Sequence, residues 1–397
     1  MATQFKYIVV GAGMMGAAAA RHLTGKSDGV ALIGPGEPAD IKNHTGVFAS
    51  HYDAARITRT IDGNADWARL ANRSIARYAE IERESGVKFY GEVGCLIVGK
   101  KRGTGFDYIE NVCAAAETLG VETEILDDAA LADRFPYFAF ESGCEGVFER
   151  RNAGWVNPRE MVRAQTVSAE KRGVTRIDDI AVSVREEGGV ATVTTASGQV
   201  YTAEKVIVAA GGFSVAEGLL PQKLEMQVNG RTVAFFEIPD DELDRYAGMP
   251  SLIYEPADPR KHIYLLPPVR YPDGKTYLKI GGEPVDIVLN GDREIRDWFR
   301  SGGSAKVRDD FSEIIETLIP SIDRSRISMA ACVTSYTPSG FPAIGYTASP
   351  SIAVLTGGCG TAAKSSDEIG RLGAELLVEG RIIDTEYATD FAPAFSA

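Results

Sequence analysis

Residues 6–16, KYIVVGAGMMG, decide the fold of this chain. The apolar residues before the glycines predict a short buried strand, and the alanine-rich segment after them predicts a helix. Between the two stand Gly11, Gly13 and Gly16, with the spacing G-x-G-x-x-G. In such a turn the first glycine permits a tight bend, the second lets backbone approach a pyrophosphate, and the third lets the helix pack against the strand. The helix amino terminus adds free N–H groups for phosphate oxygens. The stretch therefore predicts a dinucleotide site, with a plain strand-to-helix turn as the alternative.

The composition is that of a globular enzyme. The chain has 397 residues, more than one core usually holds, which predicts two domains or one large domain with an insertion. Hydrophobic residues make up 44% and charged residues 24%, as in most soluble proteins. A net charge of −13 argues against nucleic acid as a partner, because binding phosphates requires a basic face. No apolar run approaches the roughly 20 residues of a membrane span.

The amino terminus and the cysteines predict the compartment. The first strand begins almost at once and leaves no room for a signal peptide, which predicts a cytoplasmic location. The five cysteines are scattered, odd in number and without a C-x-x-C pair. They predict neither a disulfide framework nor a zinc site.

The second strand of the nucleotide-binding unit, predicted at residues 30–33, ends unusually. A dinucleotide site commonly has Asp or Glu at the end of this strand to hold the adenosine ribose. Here the strand is followed by Gly34, Pro35 and Gly36, and the acidic residue Glu37 comes three positions late. Either Glu37 or backbone groups could substitute.

The remaining pattern places further nucleotide-binding pieces far along the chain. Residues 205–213, KVIVAAGGF, predict a central parallel strand that ends in a glycine turn at the cofactor edge. Residues 352–355 predict another buried strand, followed by Gly357, Gly358 and Gly360. Helices are predicted at 65–84, 106–119, 158–171, 292–319 with a break at 301–303, and 364–377. Residues 227–283 are rich in strand signals and predict an antiparallel sheet. Because the nucleotide-binding pieces lie at the start, middle and end, the second domain is predicted to be inserted.

Five motifs in this order carry a family resemblance that covers nearly the whole chain. They are GAGMMG, SHYDAARITR, KVIVAAGG, YLKIGG, and the carboxy-terminal pair CVTSYTP and GGCGTAAK. With them the chain resembles the flavin-dependent amine oxidoreductases of the D-amino-acid oxidase superfamily, and within it the branch of monomeric sarcosine oxidases.

The resemblance implies the fold class and the reaction. The expected fold is α/β (α+β overall), with an FAD-binding Rossmann-like domain and an inserted substrate domain on a large mixed or antiparallel sheet. We assign residues 1–85, 145–220 and 325–397 to the FAD-binding domain, and 86–144 and 221–324 to the substrate domain. FAD would take hydride from the carbon beside an amine nitrogen, the imine would hydrolyse, and O2 would reoxidise the flavin to give H2O2.

Several substrates and reactions remain open. The expected substrate is a small carboxylate-bearing secondary amine, such as an N-alkylglycine or an imino-diacid. One alternative is an FAD-dependent dehydrogenase of an amino acid or 2-hydroxy acid that uses another electron acceptor. The others are a flavoprotein without enzymatic activity and an NAD-binding protein.

The resemblance also assigns roles to cationic and aromatic residues. Arg59 and Lys364 are expected to bind the substrate carboxylate, for which a guanidinium fork is well suited. Arg56 is expected beside the flavin ring, and Lys279, within an otherwise apolar strand, is expected to promote reaction with O2. Tyr264 is expected to face the substrate. The alternatives are solvated loop arginines, a first-turn helix lysine, an edge-strand lysine and a half-buried structural tyrosine.

Cysteine and histidine positions complete the expected site. Cys332 stands where the sarcosine oxidase branch attaches FAD through a thioether, although it could equally be a small buried hydrophobe. Glu283 replaces an active-site histidine of that branch, which predicts a different substrate pocket. Cofactor contacts are expected from the following residues: Gly11, Gly13, Met14, Met15, Gly16, Glu37, Ser50, His51, Arg56, Ala210, Gly211, Cys332, Gly358, Gly360, Thr361 and Lys364.

Overall fold

The computed structural model describes residues 3–282 and 285–396. Its strands, in chain order, are β1 Thr3–Val10, β2 Val30–Ile33, β3 Arg56–Thr58, β4 Tyr90–Gly91, β5 Cys95–Lys100, β6 Glu124–Leu126, β7 Cys144–Glu149, β8 Gly154–Val156, β9 Thr175–Ile177, β10 Ala181–Glu187, β11 Val190–Thr195, β12 Val200–Val208, β13 Gln227–Glu237, β14 Ser251–Glu255, β15 Ile263–Arg270, β16 Thr276–Gly281, β17 Ile287–Leu289, β18 Ile327–Tyr336, β19 Ala343–Tyr346 and β20 Ile352–Thr356. The α-helices are α1 Met14–Thr24, α2 Ala65–Ser85, α3 Tyr108–Leu119, α4 Asp128–Arg134, α5 Pro158–Lys171, α6 Gly291–Ser301, α7 Ala305–Leu318 and α8 Ser366–Glu379.

The first sheet is the predicted nucleotide-binding sheet. Its order is β10-β11-β12-β1-β2-β9, and β20 pairs with β12 and β19. The pairings of β1 with β12 and β2, of β2 with β9, and of β12 with β20 are parallel, which matches the expectation for central strands. Alternate residues of β1 face opposite layers: Tyr7 and Val9 pack with α1, α2, α5 and α8, whereas Ile8 and Val10 pack with β10 and β11.

The second sheet is larger and mixed, as the resemblance implied. Its order is β17-β13-β16-β15-β14-β5-β7-β6, and β18 pairs with β13. The ladders are antiparallel except the one between β14 and β5. Both β7 and β18 lie in this sheet, although most of their residues fall in ranges that we assigned to the FAD-binding domain. The domain ranges themselves stay a prediction.

Local signals explain most element boundaries. Helix α2 begins after Asn64, whose side chain accepts hydrogen bonds from the N–H groups of Asp66 and Trp67, and it ends before Gly86, which has a φ of +78°. Helix α1 begins at Met14, within the glycine motif and ahead of the alanine-rich segment that predicted a helix. The segment that carries Arg56 contains a short strand, because β3 pairs antiparallel with β8 in a small third sheet.

Within the part of the chain that the structure describes, no helix combines the length and apolarity needed to cross a membrane. The predicted cytoplasmic location stays a prediction.

Candidate active site

A long cleft opens at the carboxyl edge of the first sheet. Its walls come from the turn after β1, the segment 47–52, the turn after β12, the strand β18 and the glycines after β20. Parallel strands place their carboxyl ends at one edge, which explains why pieces so distant in sequence meet there. Of the residues predicted to contact the cofactor, those lining the cleft are Gly11, Gly13, Met14, Met15, Ser50, His51, Arg56, Ala210, Gly211, Gly358 and Gly360.

The turn after β1 has the geometry that a pyrophosphate requires. Gly11 has a φ of +105°, and a Cβ there would lie 2.4 Å from the carbonyl oxygen of Ala209. A Cβ on Gly16 would lie 1.8 Å from the oxygen of Gly11, so this glycine sets the close approach of α1 to β1. Gly13 is the N-cap residue of α1, and it offers no side-chain hydrogen bond to the first turn of the helix. The N–H groups of that turn are therefore free to bind a ligand in the cleft. These residues fit a dinucleotide phosphate.

The ribose end of the cleft differs from the sequence expectation. A Cβ on Gly34 would lie 2.7 Å from the nitrogen of Ala12, so this backbone has no space for an acidic side chain at the end of β2. Glu37 does not line the cleft and instead forms a bidentate ion pair with Arg159, at 2.7 and 2.8 Å. A contact of Glu37 with the adenosine ribose stays a prediction. Among described residues, acidic side chains do line the cleft, at Asp179, Glu217 and Asp292.

Lys279 is fully buried and lies on β16. Its Nζ forms an ion pair with Asp53 and donates to the carbonyl oxygen of Ala55 at 2.7 Å. Burial lowers the pKa of Lys279 to about 8, although Asp53 opposes the shift. The edge-strand alternative is excluded, because the side chain points into the protein.

Asp53 links Lys279 to the arginine segment, and sequence reasoning missed it. Burial alone would raise its pKa, but Lys279 and Arg56 together lower it to about 2. Tyr271 also donates its O–H to Asp53, at 2.8 Å. The signal available was a single acidic residue inside SHYDAARITR, where a buried carboxylate could only be tolerated beside cations.

Arg56 joins the cleft to β18. Its Nε lies 2.9 Å from a carboxylate oxygen of Asp53, and its Nη2 lies 2.9 Å from the oxygen of Ser50 and 3.2 Å from Sγ of Cys332. Cys332 is 6% exposed and precedes Val333, which lines the cleft. The solvated-loop alternative for Arg56 is thereby excluded.

Arg59 and Lys364 converge on a single carboxylate. Oδ2 of Asp62 lies 3.3 Å from Nη1 of Arg59 and 3.5 Å from Nζ of Lys364. Burial, with the nearby charge of Arg59, lowers the pKa of Lys364 to about 7. Neither cation is among the residues that line the cleft, but Lys364 directly follows Ala363, which does line it. The structure brings together two cations that lie far apart in sequence, and their binding of a substrate carboxylate stays a prediction.

Glu149 fixes the segment that carries Arg59. Its carboxylate accepts hydrogen bonds from the backbone N–H of Thr60 at 2.9 Å and of Ile61 at 3.4 Å, and from the hydroxyl of Thr60. Burial raises the pKa of Glu149. Sequence reasoning missed this residue, although an acidic side chain directly after the apolar pair Val147 and Phe148 was a usable signal.

The other predicted residues divide between the site and its surroundings. Tyr264 is beside Lys279, whose Nζ lies 5.7 Å from the ring centroid, and burial raises the pKa of the phenol. His51 lines the cleft, and burial together with Arg159 and Arg56 lowers its pKa to about 3, so the imidazole is neutral at pH 7. Thr361, like Gly16 and Cys332, lies near the cleft without lining it. Glu283 lies outside the described residues.

Comparisons with known proteins agree with this geometry. The sequence profile of the family described as FAD dependent oxidoreductase matches residues 6–376. Monomeric sarcosine oxidase of Bacillus sp. (strain NS-129) is 26% identical over 388 residues, which cover 96% of this chain and 95% of that protein.

Two solved structures share the fold. NikD, an unusual amino acid oxidase essential for nikkomycin biosynthesis, superposes in its open form with a TM-score of 0.77 at 19% identity, covering 100% of this chain and 98% of that one. L-proline dehydrogenase from P. horikoshii gives a TM-score of 0.74 at 17% identity, covering 96% and 95%. The profile match spans most of the chain. The protein therefore belongs to the DAO family of FAD-dependent oxidoreductases, as a sarcosine oxidase-like enzyme.

Proposed function

We propose that the protein is an FAD-dependent oxidase of secondary-amine or N-substituted amino acids. The observation that carries this proposal is the convergence of Arg59 and Lys364 on one carboxylate beside the dinucleotide cleft. A substrate carboxylate has the charge and size of the group already held there. Sequence similarity to sarcosine oxidases supports a small amino acid as the substrate.

Arg59 and Lys364 would bind and orient the substrate. Arg59 stays charged at any working pH and presents several N–H donors, whereas Lys364 supplies a compact second charge. Glu149 holds the backbone next to Arg59, so the guanidinium is positioned before the substrate arrives. With its carboxylate fixed at this point, the amine and its neighbouring carbon would be directed toward the cleft. The amine should react in its neutral form, because a free lone pair assists loss of hydride from the adjacent carbon.

When bound, FAD would accept hydride from that carbon and pass the electrons to O2, giving H2O2 and an imine that hydrolyses. The chain's contribution to the O2 step would be the buried positive charge of Lys279, which stabilises negative charge developing on oxygen. Arg56 lines the cleft and would stabilise negative charge on the cofactor ring. Asp53 holds both cations in place.

Peroxide production tests the proposal. The purified holoenzyme is assayed with sarcosine, longer N-alkylglycines, an imino-diacid, and the corresponding primary amino acids. We expect peroxide from N-alkylglycines and little from N-methylamines that lack a carboxylate, and the imino-diacid shows whether a second carboxylate is tolerated. If no secondary amino acid yields peroxide, the oxidase proposal is wrong, and turnover with an artificial acceptor alone would indicate the dehydrogenase instead.

We further propose two modes of FAD binding at Cys332, tight non-covalent binding or a thioether to its Sγ. The support is its place on β18 directly before cleft residues and the nearby charge of Arg56. Acid precipitation distinguishes the two: a yellow pellet is expected for the covalent form, and Cys332→Ala should release the colour to the supernatant. A colourless pellet from the wild-type holoenzyme would rule out the bond.

A further inference from the structure

Asp62 occupies the position that the proposed function gives to the substrate. A single oxygen of its carboxylate, Oδ2, lies within 3.5 Å of both Arg59 Nη1 and Lys364 Nζ. Both cations lie close to this oxygen because each is stabilised by the same negative charge. No role follows for Asp62 from the sequence, in which it is simply the third residue after Arg59.

The contacts of Asp62 would allow its carboxylate to move. It belongs to the short turn between β3 and α2, and its Oδ1 accepts only from the backbone N–H of Asn64, at 3.2 Å, among the described hydrogen bonds. The neighbouring Gly63 is exposed, and nothing lies within 4 Å of a Cβ built on it. Asp53, by contrast, is buried between two cations and a tyrosine. Rotation of the Asp62 side chain toward solvent would break no buried contact other than those with the two cations.

The cations are held more firmly. The carbonyl oxygen of Lys364 accepts a hydrogen bond from the buried hydroxyl of Tyr78 at 2.7 Å, and Nζ also lies 3.4 Å from the oxygen of Thr361. The residues after Arg59 are fixed by Glu149. A competing carboxylate would therefore find both cations in position and would need to displace only the anion.

We propose that Asp62 is a specificity-determining residue, the resident counter-ion of the carboxylate site, which substrate displaces when it binds. The identity of that substrate rests on the proposed function. Exchange of one carboxylate for another keeps the cations paired throughout and moderates the affinity for any simple carboxylate. The displaced Asp62 stays close to the site and repels a second negative charge. The substrate class is accordingly a secondary amine with one carboxylate, and imino-diacids are disfavoured.

The test measures binding of simple anions to the FAD-loaded enzyme by isothermal titration calorimetry. Asp62→Asn removes the charge and keeps an oxygen for the N–H of Asn64. We expect this variant to bind acetate about tenfold tighter than the wild type does. Its affinity for malonate, which carries two negative charges, should increase by a larger factor. Asp62→Glu restores a carboxylate and should resemble wild type. The affinity for acetamide, which is neutral, should be the same in the variant and the wild type. Glu80→Gln removes one exposed negative charge elsewhere and serves as the matched control.

Three results would overturn the proposal. They are equal or weaker acetate binding in Asp62→Asn, acetate binding in Asp62→Glu as tight as in Asp62→Asn, and no acetate binding to any of the proteins. If Asp62→Asn fails to retain flavin, Asp62→Ser must show the tighter binding instead. Failure of the proposed function would look different. The Asp62 effect on acetate would persist, while the wild-type enzyme oxidised no N-substituted amino acid.

Discussion

Lys279 allows the oxygen step to be tested at a single side chain. In Lys279→Met the buried positive charge is lost, while Asp53 keeps Arg56 and Tyr271 as partners. We expect the rate constant for reoxidation by O2 to fall about 100-fold, the usual scale for removing one preorganised charge, with substrate-dependent reduction changed only a few-fold. Stopped-flow absorbance of the anaerobically reduced enzyme mixed with O2 measures the first rate.

The control for this variant is Lys275→Met. Lys275 is an exposed lysine nearby that pairs with Glu237, so its loss removes the same charge outside the site. It should leave both rates unchanged. An O2 rate in Lys279→Met equal to that of wild type would instead favour a dehydrogenase that uses another acceptor.

Lys364 gives the carboxylate site a pH dependence. Because burial and Arg59 lower its pKa to about 7, the side chain loses its charge as pH rises through neutrality. The dissociation constant of acetate should therefore rise above about pH 7, by up to tenfold for each pH unit, since the protonated amine binds the anion. Calorimetric titration from about pH 6 to 9 measures this, and acetate avoids the ionisation of an amine substrate.

Lys364→Met separates this effect from other titrating groups. It should bind acetate weakly with a flat pH profile, because Arg59 stays charged throughout the range. A flat profile in the wild-type enzyme would contradict the assignment of Lys364 to the carboxylate.

Two glycines in the turn between β1 and α1 allow an effect on folding to be distinguished from an effect on cofactor binding. A methyl group at Gly16 meets backbone at 1.8 Å, so Gly16→Ala should destabilise the apoprotein by about 2 kcal/mol or more and abolish flavin retention. Gly13 has a φ of −83°, which alanine adopts, and the nearest atom to its Cβ is Nδ1 of His51 at 3.8 Å. Gly13→Ala should change the free energy of unfolding of the apoprotein by no more than about 0.5 kcal/mol from that of the wild type. It should weaken FAD binding by about tenfold or more. Thermal unfolding of the apoproteins and flavin titration measure the two effects. Normal FAD affinity in Gly13→Ala would place the pyrophosphate elsewhere.

Sequence reasoning succeeded for elements whose signals are local. The glycine spacing identified the turn after β1, and apolar runs identified β2 and β20. It failed where a role depends on a partner far along the chain. Lys279 and Asp53 are 226 residues apart, so burial of the lysine could be predicted from its strand, but its counter-ion could not. Gly34 is a similar case. A side chain is excluded at this position because it would meet Ala12, and that contact exists only once β2 and the glycine turn are packed together.

The whole molecule also depends on a buried charge cluster behind the first sheet. Asp367, at the start of α8, is fully buried and accepts hydrogen bonds from Arg21 of α1 at 2.9 Å, Arg77 of α2 at 2.6 Å and Gln165 of α5 at 2.8 Å. One carboxylate thus joins four helices, and it stands three residues after Lys364. Burial alone would raise the pKa of Asp367, but His22, Arg77 and Arg21 hold it well below the usual range.

Replacement of this carboxylate should therefore destabilise the whole fold. Asp367→Asn leaves the buried Arg21 with only the more distant Glu84, at 3.8 Å, as an anion, while Arg77 keeps Glu368. It should lower the free energy of unfolding by about 3 kcal/mol at pH 7. A depressed carboxyl pKa stabilises the folded state above the unfolded pKa of about 3.9, and that contribution is lost as the pH falls below it. The difference from wild type should consequently shrink below about pH 4. Urea unfolding at pH 7 and at a pH below about 4 measures this difference in the free energy of unfolding. Asp309→Asn is the control, because Asp309 forms an exposed ion pair with Arg308. A difference that stayed constant across the two pH values would show that packing, rather than the charge of Asp367, holds the four helices together.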